Sequence, residues 1–113
     1  MEIREKIKIK GKEIECAVDT GADYTILKED LIRELGLKPK GKIKVSFAKE
    51  KIAERNYYVT DVEINGCKIP LAIIIEGKKN LLGHDLLQKL GAIIDEKEGK
   101  IIYRICPSPI PSV

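Results

Sequence analysis

The sequence has no tryptophan, one phenylalanine, one histidine, one methionine and one glutamine in 113 residues. Its longest uninterrupted apolar run is Leu71 to Ile75, far short of the roughly 20 residues that cross a bilayer as a helix. Membrane partners are therefore not expected. The first residues, Met1-Glu2-Ile3-Arg4-Glu5-Lys6, contain no apolar segment of the kind that directs secretion, so the expected compartment is the cytoplasm. Cysteines are few, at 16, 67 and 106, odd in number and widely spaced. That pattern indicates neither a disulfide framework nor a zinc site, and Cys16 and Cys67 read as small buried hydrophobes. With His84 the only histidine and no Ser or Cys in a nucleophile-elbow pattern, a serine or cysteine triad is not expected. No basic block is interleaved with aromatic residues, so the net charge of +3 does not point to nucleic acid.

Charged and apolar residues are plentiful. They make up 35% and 43% of the chain, which places it among ordered globular domains rather than disordered segments. Lys, Glu and Ile are abundant while thermolabile residues are scarce, a composition like that of thermophile proteins. The length fits one domain, here residues 1–105, followed by a proline-rich tail at 106–113 that is expected to be extended.

Period-two alternation dominates. Ile3, Ile7 and Ile9 alternate with charged residues, a turn falls at Gly11-Lys12, and Ile14, Cys16 and Val18 alternate up to Asp19. Leu27, Leu31 and Leu35 recur every four residues, which predicts a helix stopped by Gly36. Alternation resumes at Ile43, Val45 and Phe47 and again from Ile52 to Ile64, which predicts a protruding hairpin with a charged tip. Asn65-Gly66 predicts a tight hairpin turn, because both positions tolerate positive φ. The run Leu71–Ile75 lacks polar alternation and predicts a strand buried on both faces. A second short helix places Leu86, Leu87 and Leu90 inward and stops at Gly91, and two last strands flank a turn at 96–99. The expected class is mainly β with two short helices.

The sharpest chemical signal is Asp19-Thr20-Gly21, directly after the apolar pair Ala17-Val18. A carboxylate at a strand-to-loop junction is positioned by packing, and Gly21 permits close backbone approach. Alone, the tripeptide also reads as a turn in which Asp bonds its own backbone.

The longer stretch Cys16-Ala17-Val18-Asp19-Thr20-Gly21-Ala22-Asp23-Tyr24-Thr25-Ile26-Leu27 resembles the active-site segment of the retropepsins, the retroviral-type aspartic proteases. Some sixty residues on, Asn80-Leu81-Leu82-Gly83-His84-Asp85-Leu86-Leu87 resembles their second signature. The resemblance covers roughly residues 3–95 and implies a closed β-barrel-like aspartic protease fold with no cofactor or metal. It implies that Asp19 is catalytic and that Thr20 and Gly21 support it. Ala22, Asp23, Leu81 and Leu82 would line the substrate groove. The hairpin at 43–58 would be the flap, with Ala48, Lys49, Glu50 and Lys51 at its tip. His84 stands where the family usually has an Arg that pairs with the carboxylate matching Asp23, so His84 is expected behind Asp23. The flap tip lacks the family's glycines.

Metal-free peptide hydrolysis by carboxylates needs one to deprotonate water and another, protonated, to polarise the carbonyl. Aspartic proteases are the standard instance of two carboxyls sharing one proton. The sequence holds one Asp-Thr-Gly, so the reading requires a homodimer with Asp19 and its symmetry mate on the axis. By the resemblance, the interface comes from the chain ends: Ile3, Ile7, Ile9 and the 101–105 strand. The expected activity is that of an aspartic endopeptidase on peptides or proteins. The alternative is a peptide-binding or dimerisation module on the same fold with little or no proteolysis.

Overall fold

The structure, a computed structural model, describes residues 2–47 and 51–111. Ala48, Lys49 and Glu50, three of the four expected flap-tip residues, lie outside the described residues.

The first hairpin forms as the alternation dictates. Strands β1 (Arg4–Ile9) and β2 (Lys12–Val18) pair antiparallel and turn Ile7, Ile9, Ile14 and Cys16 inward. The turn sits one residue earlier than the sequence indicates, at Lys10-Gly11, with φ of 50° and 80°. Because Ile7 and Ile9 are buried in their own chain's core at 1% and 0% exposure, they are not available to a partner surface.

Strand β3 (Thr25–Lys28) leads straight into helix α1 (Glu29–Glu34). The four-residue spacing of Leu27, Leu31 and Leu35 therefore crosses two elements rather than marking one helix. Leu27 is fully buried in β3, Ile32 is the buried residue of α1, and Gly36 ends the turn at φ 71°. Pairing of β3 with two other strands outweighs the weak helical preference of four residues.

Strands β4 (Gly41–Phe47) and β5 (Lys51–Ile64) form the expected long hairpin, in register from Gly41↔Tyr57 to Phe47↔Lys51. Asn65 and Gly66 then turn at φ 51° and 74° into β6 (Cys67–Gly77). The Leu71–Ile75 run is not buried on both faces: Leu71 is 72% exposed and Ile73 36%, whereas Ala72, Ile74 and Ile75 are buried. The physical reason is strand alternation: Leu71 and Ile73 share one face of β6, and Ala72 and Ile74 the other. An extra residue in β6 lies opposite Asp61, where Leu71 adopts φ 52° and its N–H donates to Asp61 Oδ1 at 3.0 Å.

The short strand β7 (Leu81–Leu82), helix α2 (His84–Lys89), and strands β8 (Ala92–Asp95) and β9 (Lys100–Tyr103) complete the chain. Seven strands run in the order β1-β2-β7-β3-β6-β5-β4, and β1 also pairs with β5, so the sheet returns on itself with β4 outside the ring. Leu82, Leu86 and Leu90 fill its interior with Ile9, Leu27 and Ile74. Each such side chain contributes roughly 1.5–3 kcal/mol by leaving water. Strands β8 and β9 form a separate ribbon.

The cysteines depart from expectation. Cys67 is bonded to Cys106, which closes a separation of 39 residues. The tail does not run free: Lys68 N donates to Ser108 O at 2.8 Å, and Ile110 N to Gly66 O at 3.1 Å. Those bonds lay the tail along the first residues of β6, whose later residues Ile74–Gly77 pair with β3. Sequence spacing could not show this, because the juxtaposition depends on where β9 ends in space. Cys16 remains a buried free thiol, and burial pushes its pKa up to about 12, so it is no nucleophile at neutral pH.

Candidate active site

Strand β2 ends at Val18 and delivers Asp19 to a loop, 19–24, that crosses over the end of β7 to reach β3. The short β7 lies between β2 and β3 in the sheet and anchors both sides of this loop. Ala17 N donates to Asn80 O and Asp19 N to Leu82 O, each at 3.0 Å. Beyond the carboxylate, Ala22 N donates back to Asp19 O at 3.2 Å. The Asp19 side chain is partly exposed, and its Oδ1 accepts the Gly21 N–H at 2.9 Å. A Cβ on Gly21 would stand 3.3 Å from that oxygen, so glycine keeps the carboxylate uncrowded.

The far side of the loop is closed from below. Thr25, the first residue of β3, is fully buried. Its Oγ1 accepts from Gly83 N at 3.1 Å and donates to Asp85 Oδ1 at 3.1 Å. His84 N donates to Ala22 O at 2.7 Å. Gly83 packs so closely on the Tyr24 carbonyl that any Cβ there would overlap backbone atoms. Burial pushes the Asp85 pKa above its ordinary value, against the opposing bonds from Leu86 N–H and the Thr25 hydroxyl.

A comparison with protein-family models matches residues 6–89 to the family described as gag-polyprotein putative aspartyl protease. The chain belongs to this retropepsin-like family. A search among curated proteins finds no match. The family match contains both the Asp19 loop and the Leu81–Gly83 segment, and it ends before β8, β9 and the disulfide-held tail.

Against the family's pattern, the sequence-derived residues fall into two groups. Asp19, Gly21 and Ala22 come together in one loop braced by β7 and the start of α2, as do Thr20 and Asp23, which are exposed. Leu81 is half-buried beside them, but Leu82 is 0% exposed in the core and reaches no groove. The reason is the two-residue length of β7: adjacent strand residues point to opposite faces, so only one of the pair can line a surface. His84 is exposed and lines a cavity of about 370 Å³ shared with Thr20, Leu87, Ile94 and Arg104. Among the described residues no side-chain hydrogen bond links His84 to Asp23; the tie between these segments is the backbone bond from His84 N to Ala22 O. Lys51 is exposed at the start of β5.

Thr25 and Asp85 escaped the sequence reading as functional residues. A threonine between Tyr24 and Ile26 looks like ordinary strand, and an aspartate in the first turn of a helix looks like ordinary helix chemistry. Among the described residues the other carboxylates do not bond to Asp19: Asp61 accepts from Leu71 N and Asp95 from Glu98 N. No group of three or more His, Cys, Asp or Glu among the described residues is arranged to hold a metal ion. No described helix is long and apolar enough to cross a membrane.

Proposed function

We propose that this chain is an aspartic endopeptidase that works as a homodimer on a closed-barrel retropepsin-like fold, with water activated between Asp19 and its symmetry mate. The observation that carries the reading is the Asp19 carboxylate itself: partly exposed, at a strand end, in a loop braced on both sides, with no second carboxyl bonded to it among the described residues. A two-fold axis beside Asp19 supplies the missing partner. The pair then holds one proton between two carboxyls. The ionised carboxyl takes a proton from water, whose oxygen bonds to the peptide carbon. The protonated one gives its proton to the carbonyl oxygen, forming a tetrahedral diol. Collapse of the diol breaks the C–N bond as a proton passes to the leaving nitrogen.

In this reading Thr20 and Gly21 support the acid, while Ala22, Asp23 and Leu81 border the groove. The β4–β5 hairpin covers the bound peptide, and His84 stands behind the site. The test is incubation of purified protein with a diverse peptide pool, with and without a pepstatin-type inhibitor, beside Asp19→Asn. The account predicts inhibitor-sensitive cleavage by wild type and none by Asp19→Asn, which keeps its fold and dimer. Retention of peptides without cleavage by wild type would replace hydrolysis with binding as the activity. Turnover by Asp19→Asn would remove Asp19 from the role.

A further inference from the structure

We propose that Thr25 and Asp85 form a positioning pair that sets the angle of the Asp19 loop, an inference that rests on the reading of Asp19 as the catalytic acid. Thr25 is a polar side chain with 0% exposure, and it stands where the 19–24 loop re-enters the sheet. Its hydroxyl has one proton to give, and an ionised carboxylate can only accept. The proton therefore goes to Asp85 Oδ1, which leaves a lone pair aimed at Gly83 N. Asp85 Oδ1 is itself fixed by the Leu86 N–H at 2.8 Å. The order of constraint runs from the first turn of α2 through Asp85 and Thr25 to Gly83.

Gly83 passes the constraint on. The residue before it, Leu82, accepts from Asp19 N, and the residue after it, His84, donates to Ala22 O. Gly83 also abuts the Tyr24 carbonyl with no space for adjustment. The backbone on both sides of Asp19 is thus registered against one peptide unit, and the Thr25 hydroxyl is the side-chain group that holds that unit. The arrangement matters more in a two-fold site than in a single-chain one, because any displacement of the loop is repeated by the partner and doubles in the separation of the two carboxyls.

The experiment compares wild type, Thr25→Val, Thr25→Ser and Asp85→Ala as purified dimers, at a temperature where each is folded by circular dichroism. Thr25→Val keeps the shape and removes both bonds. The expected result is a fall in kcat of about ten- to a hundredfold, the scale that misplacement of reacting groups produces. KM changes far less than kcat, since Leu81 and the β4–β5 hairpin keep their places, and Thr25→Ser recovers most of the loss. A second readout does not need activity. The Gly21 amide donates to Asp19 Oδ1, so its hydrogen-exchange rate reports that bond; exchange should quicken in Thr25→Val and stay near the wild-type rate in Thr25→Ser. If wild type shows no Asp19-dependent cleavage, the functional reading fails while Gly21 exchange still decides the positioning claim. Wild-type kcat together with wild-type Gly21 exchange in folded Thr25→Val would overturn the inference. Should that variant not fold, the same result in Asp85→Ala would overturn it.

Discussion

At the scale of single residues, Gly83 and Asp85 make opposite contributions to the same junction. Gly83 is there because nothing larger fits against the Tyr24 carbonyl, so Gly83→Ala should cost about 3 kcal/mol of stability through backbone displacement. Urea unfolding of the two proteins measures it, and unchanged stability, or the gain of up to about 1 kcal/mol that alanine ordinarily brings in place of glycine, would contradict the contact. Asp85 is half-buried, and burial raises its pKa in the folded state. Its protonated form therefore favours folding: that stabilisation is complete below the unfolded value of about 3.9 and is lost as pH rises through the raised folded value. Asp85→Asn does not titrate, so its stability relative to wild type should increase with pH across that window. Unfolding curves at several pH values check the sign, and a pH-independent difference would remove the burial argument. Of these residues, Asp19 and Gly21 were legible because a strand, an acid and a glycine in sequence carry their own chemistry. Thr25 and Asp85 were not legible, since their bond spans a sequence separation of 60 and neither residue type is unusual where it stands.

At the scale of elements, most of the fold could be read where alternation was unbroken, as in β1, β2 and the Asn65-Gly66 turn. It misled where two elements share one apolar spacing, as Leu27 and Leu31 do, or where an unbroken apolar run leaves one face of a strand in water, as at Leu71 and Ile73. The tail is the clearest case. Three prolines announce an extended chain, but only the end of β9 and the position of Cys67 decide that it lies against β6. In the chain-entropy account, a crosslink across 39 residues contributes up to about 4 kcal/mol. Cys67→Ser should lower the melting temperature accordingly and leave residues 106–111 open to proteolysis, because the remaining hold is two backbone bonds. Unchanged melting and an equally protected tail would show that the disulfide is not what holds it.

At the scale of the whole molecule, the ring of strands buries most of the chain's large aliphatic side chains, and outside it Ile93 and Ile102 are exposed at 43% and 45%. These two are direct cross-strand partners on the β8–β9 ribbon, and Ile105 beyond it is 53% exposed. With Ile7 and Ile9 committed to the core, half-buried Ile3 and the 101–105 segment remain of the expected terminal interface, and that segment lies beyond the family match. The central claim is that two Asp19 carboxyls from two chains make one site. Its most direct test is to mix a fixed amount of wild-type chain with increasing Asp19→Asn chain, allow subunits to exchange, and measure peptide cleavage. Random pairing leaves half of the wild-type chains in wild-type dimers at an equal mixture, so the rate should fall to about one half, and to about one quarter at threefold excess. A cleavage rate that is unchanged by the added variant would mean that one Asp19 suffices, and would contradict the account.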